Sequence, residues 1–138
     1  MIKRILSVVT GLACGMIIIF LFEILSGKIY SPPPGTNFSD PESVKAMMKN
    51  MPTGAFLIIL FSYAAGSFAG GLIGSLIRNI QKPDSAILIG GILLVAGIMN
   101  LVSLPGHPLW FIISSLLIYL PGSYLGYLSV QKRLQSVN

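Results

Sequence analysis

Four long apolar runs, separated by polar stretches, dominate the chain at about residues 5–26, 54–78, 86–104 and 109–130. Each is about 19 to 25 residues long, and an α-helix needs about 20 to cross the hydrocarbon core of a bilayer. Only Glu23 interrupts the first run and only Asn100, among strongly polar residues, the third. Unsatisfied backbone groups are too costly in lipid for open sheets, so helices are the expected form. The pattern predicts an all-α membrane protein. It reads as a four-transmembrane-helix bundle forming one integral membrane domain over residues 1–138, with an outer loop at 27–53.

Composition agrees. Hydrophobic residues make up 54% and charged residues 9% of the chain, against roughly 25% charged in soluble domains. Cys14 is the single cysteine and His107 the single histidine. They exclude an internal disulfide, a C-x-x-C redox pair and a zinc site of N and S ligands within one chain. There is no phosphate-binding G-x-x-x-x-G-K-[ST] loop and no G-x-S-x-G elbow. No cofactor is expected.

The net charge of +5 flanks the apolar runs instead of forming a nucleic-acid patch. Lys3, Arg4, Arg78, Lys82, Lys132 and Arg133 fall on one side, and Lys28, Lys45 and Lys49 on the other. The excess of Lys and Arg predicts that both termini are cytoplasmic, in a multi-pass bacterial inner-membrane protein. Lys3-Arg4 before an apolar run also fits a signal peptide, but no A-x-A-like site follows. Leu12-Ala13-Cys14 faintly resembles a lipoprotein cleavage site, yet the strongest apolar stretch lies beyond Cys14. The run is therefore read as a retained membrane helix.

The outer loop carries its own order. Pro32-Pro33-Pro34 favours polyproline II, and Gly35-Thr36-Asn37 permits a turn. A helix at about 40–51 is expected next, started by a Ser39/Glu42 capping box or by Asp40 with Pro41 at the first helical position. Val44, Met47, Met48 and Met51 share one face of it. That face suits a lid packed on the protein or at the lipid interface. It equally suits an adaptable docking surface for a partner.

Small residues recur at helical spacing: Gly11 and Gly15 in the first run, Gly66, Gly70 and Gly74 in the second, Gly122 and Gly126 in the fourth. Such rows let helix backbones approach closely where lipid provides little drive for association. They predict helix packing within the chain or between copies in a homo-oligomer, with the second helix central and the packing tightest on the cytoplasmic side. Pro121 is expected to kink the fourth helix.

Glu23, Asn100 and His107 all fall near the outer membrane face. An ionisable residue inside an apolar run calls for a functional hypothesis, here an outward-facing polar cleft of these three residues. It would take a cation, a lipid headgroup or a partner segment. The alternative is interfacial: Glu23 reaches headgroup water and Asn100 hydrogen-bonds a neighbouring helix. Tyr30 and Trp110 read as aromatic-belt residues.

Two stretches, Glu23-Ile-Leu-Ser-Gly-Lys-Ile-Tyr-Ser-Pro-Pro-Pro-Gly35 and Asn100-Leu-Val-Ser-Leu-Pro-Gly-His-Pro-Leu-Trp-Phe111, resemble a family of short, uncharacterised four-helix bacterial membrane proteins. The resemblance implies fold and membrane placement, and carries no activity, cofactor or catalytic residue. The preferred function is structural or accessory, through the bilayer and membrane-protein partners, because reactive groups are scarce. A small transporter or a lipid- or cation-binding protein centred on Glu23 is the alternative. Small multidrug exporters also carry a carboxylate in the first of four helices, but Glu23 lies far from the midplane position of such sites. An enzyme would need Glu23 and His107 as an acid–base pair, and no enzymatic activity is expected.

Overall fold

A computed structural model describes residues 1–79 and 82–136. Five helices and no strand are found among them: α1 (Ile2–Ile29), α2 (Pro41–Asn50), α3 (Thr53–Arg78), α4 (Asp84–Ser103) and α5 (Leu109–Ser136). All but α2 are long and apolar enough to cross a membrane. The 28 residues of α1 span about 42 Å at about 1.5 Å per residue. It begins and ends about one turn beyond the apolar run, through Lys3 and Arg4 at one end and Gly27 and Lys28 at the other. Likewise α5 continues past the expected end at 130 through Gln131, Lys132 and Arg133, which are good helix formers.

The helix α3 is central. It packs against α1, α4 and α5, whereas α1 and α5 do not meet among the described residues. Its small surface explains this. A Cβ placed on Gly11 would come within 2.6 Å of the Gly70 carbonyl oxygen, and one on Gly15 within 2.7 Å of that of Gly66. On the other side, Gly122 rests against Ser67, and a Cβ on Gly126 would lie 2.6 Å from the Leu72 nitrogen. A Cβ on Gly74 would lie 3.1 Å from the Ser7 carbonyl oxygen. All seven glycines therefore lie in seams between helices of the same chain. Buried serines in these seams do not stay unsatisfied: Ser62, Ser67, Ser115 and Ser123 donate to carbonyls one turn back. Ser7 and Ser85 pair across α1 and α4 at 2.9 Å.

The two ends of the molecule differ. Near the chain termini the glycine seams hold backbones close. At the other end large rings fill the space, with Phe56, Tyr63, Phe111 and Tyr119 all buried. Over this aromatic end lies α2. Asp40 caps it, its carboxylate accepting from the N–H groups of Glu42 (3.2 Å) and Ser43 (3.3 Å), so the Asp40-Pro41 start is the one adopted. Val44, Met47 and Met48 are buried in one cluster with Phe56 and Phe111. The apolar face of α2 is thus used as a lid within the chain, not presented as a free docking surface. Pro121 sits inside α5, which continues through it.

The remaining outer surface of the long helices is apolar. Ile17, Phe20, Phe61, Met99, Val102 and Leu117 are among the exposed side chains. So many exposed large apolar side chains are uncommon on soluble monomers.

Candidate functional site

Each long helix contributes one polar side chain to a single cavity of about 270 Å³: Glu23 from α1, Tyr63 from α3, Asn100 from α4 and Tyr119 from α5. The helix period puts these groups there. On α1, Met16, Ile19, Phe20 and Glu23 share one face, and on α4 so do Leu93, Ala96, Gly97 and Asn100. These two faces form opposite walls. Tyr63 and Tyr119 close the back, with ring centroids 5.2 Å apart. Room for Tyr119 comes from Gly97, where a Cβ would lie 2.7 Å from the tyrosine hydroxyl. Met16 and Phe20 are exposed at the rim, so the cavity opens sideways, between α1 and α4.

Within the cavity Asn100 has a hydrogen-bond partner, and Glu23 has none among the described residues. The Asn100 side-chain amide donates to the Tyr63 hydroxyl at 3.1 Å. The half-buried Glu23 carboxylate has no hydrogen bond or ion pair among the described residues. A carboxylate that shares a cavity with aromatic rings and has no cationic partner among the described residues has the chemistry to receive positive charge, through ion pairing and through the ring faces. The volume would hold on the order of nine waters at about 30 Å³ each, or one small amine or quaternary ammonium group. Among the described residues no group of three His, Cys, Asp or Glu side chains is placed to hold a metal ion.

The grouping expected from depth along the helices is only partly present. Glu23 and Asn100 share the cavity, but His107 does not line it. Gly106, at φ +103, turns the α4–α5 connection tightly over the backbone of Lys45 in α2. The next side chain is thereby tucked beneath the lid, where the His107 ring stacks on Phe111 (5.2 Å, 12°) and meets Phe56 edge-on at 6.0 Å. Its Nδ1 is buried without a hydrogen-bond partner. Burial holds the imidazole below its ordinary pKa of 6.5, with the Leu104 carbonyl opposing in part. Phe111 then contacts Tyr63 at 6.3 Å, so one aromatic layer separates His107 from the cavity.

Tyr63 and Tyr119 were not anticipated as site residues. The available signal was a phenol in the middle of an apolar run, away from the aromatic belt, since a buried tyrosine hydroxyl demands a partner. Tyr30 and Trp110 stay outside the cavity.

Comparison with protein-family models, with curated proteins and with solved structures returns no match.

Proposed function

We propose that the chain is a small polytopic protein of a bacterial inner membrane, related to the uncharacterised four-helix family it resembles. In this reading both termini are cytoplasmic and the protein binds a small organic cation through the Glu23 cavity. The four apolar helices and the apolar exterior support membrane insertion, and the bias of Lys and Arg supports the orientation. One observation carries the binding role: a carboxylate with no ion-pair or hydrogen-bond partner among the described residues, in a cavity to which every long helix supplies a polar group. Because the opening faces sideways between α1 and α4, the ligand class is an amphiphile whose ammonium group enters from the bilayer. Binding, not catalysis, suits the set, since Glu23, Asn100 and two phenols offer no nucleophile with an adjacent base.

The test uses the full chain in nanodiscs titrated with octyltrimethylammonium, with octanol as the uncharged control. One charge-assisted contact contributes about 1.5–3 kcal/mol, so Glu23→Gln is expected to weaken ammonium binding by at least about tenfold and leave octanol unaffected. A purely accessory protein, acting only through helix contacts, predicts equal binding of both probes and no effect of the substitution. That result overturns the proposal.

A further inference from the structure

A second feature starts at the opposite end of α4 and runs up to the Glu23 cavity, with Ala96 lining both. An open groove of about 690 Å³ runs along α4 from Asp84 to Met99, with Arg4 of α1 at its head. Its floor and sides are Ile87, Leu88, Ile92 and Val95, apolar and exposed. From Asp84 to Met99 the helix rises about 22 Å at about 1.5 Å per residue, longer than one leaflet's share, about 15 Å, of the hydrocarbon core.

Two details distinguish the groove from an ordinary apolar flank. The first is charge. Arg4 Nε and Arg78 Nη2 both approach the same Asp84 oxygen, at 3.5 and 3.4 Å. Two guanidinium groups share one carboxylate, leaving a net positive charge at the groove head, and Arg78 Nε is buried without a partner. The second is Gly91. Gly90 beside it is packed against Tyr119 and Leu120 of α5, whereas a Cβ on Gly91 would meet nothing within 4 Å. No helix occupies the space that Gly91 leaves open, so the glycine deepens the groove without serving packing within the chain.

We infer that this groove is a binding site for an anionic glycerophospholipid, with one acyl chain lying along α4 over Gly91 and the phosphate at Arg4, whose charge is left in excess because Asp84 is shared with Arg78. The positive head selects an anionic lipid, and the groove's length and apolar lining suit an acyl chain. The inference rests on the membrane-spanning reading of the four helices and is independent of the Glu23 cavity. Basic side chains at this level attract the anionic lipids of a cytoplasmic leaflet.

Native mass spectrometry of the full chain, released from nanodiscs of equal phosphatidylglycerol and phosphatidylcholine with identical acyl chains, tests it. One retained lipid per chain is expected, with phosphatidylglycerol favoured by about fivefold. Gly91→Leu fills open space and leaves the fold intact, and should abolish retention of both lipids. Arg4→Gln should remove the preference while a lipid is still retained, and Lys49→Gln, on the lid, should change nothing. Equal retention of the two lipids by the unaltered chain, or undiminished retention by Gly91→Leu, overturns the assignment. A chain that purifies as a soluble monomer without detergent would instead overturn the membrane reading itself, so the two failures are distinguishable.

Discussion

The same substitution should have opposite effects at two glycines of this protein. At Gly71 of α3, a Cβ would fall onto the backbone of Ser123 in α5, with the Ser123 carbonyl carbon and Cα both at 2.6 Å. Carbon atoms rest at about 3.5–4.0 Å, so the two backbones must part by roughly 1 Å. Neither obstacle is a side chain that can rotate away. Separation also opens the neighbouring contacts of Gly122 and Gly126. Overpacking typically costs about 1–3 kcal/mol, and a backbone obstacle puts Gly71→Ala at the upper end. Helix propensity returns about 1 kcal/mol, leaving a net loss of about 2 kcal/mol, a factor of roughly 30 in the folded population. At Gly91 nothing lies within 4 Å of the added methyl, so only the propensity gain of up to about 1 kcal/mol remains. Titration with SDS in mixed micelles can follow both, using the fluorescence of Trp110, the single tryptophan, which contacts Phe56 and Phe111. Gly71→Ala should unfold at lower SDS than the unaltered chain and Gly91→Ala at equal or higher SDS. Equal midpoints for the two variants, or the reverse order, would refute the account of the α3–α5 seam.

Two further predictions concern the lid. Asp40→Ala removes the acceptor for the N–H groups of Glu42 and Ser43, worth about 0.5–2 kcal/mol at a helix N-terminus; amide exchange at residues 42–47 should speed up, and unchanged exchange would show that the cap does not hold α2. His107 titrates below its ordinary 6.5 because it is buried. The unfolded chain therefore takes up a proton near pH 6.5 that the folded chain refuses, and stability should fall as pH drops through that value, levelling only below the lowered folded pKa. Unfolding midpoints measured from about pH 7.5 down to about 5 should show this loss, and His107→Leu should flatten it; a profile unaltered by the substitution would count against the buried neutral imidazole.

The existence of the four long helices was legible because lipid-length apolar runs admit few other structures. Their ends were less so, for a physical reason. Hydropathy marks where apolar side chains stop, while a helix stops where its hydrogen-bond ladder does. Lys132 and Arg133 are poor membrane residues but good helix residues, so α5 passes the apolar boundary through both. The start of α2 was readable to within one residue, but not which side chain caps it: Ser39 with Glu42 and Asp40 with Pro41 both fit, and the structure adopts Asp40, where Asp-Pro supplies both the acceptor and the first helical φ. Whether its Met face was covered could not be read locally, since the cover is Phe56 and Phe111, distant in sequence.

The candidate site shows the same division between depth and direction. Depth follows from residue number once the helices are placed, and it put Glu23, Asn100 and His107 at one level. Direction around each helix follows from spacing: residues 16, 19, 20 and 23 share a face, as do 93, 96, 97 and 100. What spacing within one helix does not contain is which face meets which. That depends on the glycine seams, where α3 draws α1 to one side and α5 to the other, so that those two do not meet among the described residues. The opening between α1 and α4 follows from this packing, with Glu23 facing Asn100 across it. His107 belongs to no helix face at all. A positive-φ glycine sets its direction, and the ring goes under the lid. Adjacent glycines 90 and 91 make the point within one turn: one meets α5 and the other meets open space, a difference of about 100° around the helix axis that decides whether a missing side chain serves packing or leaves a groove.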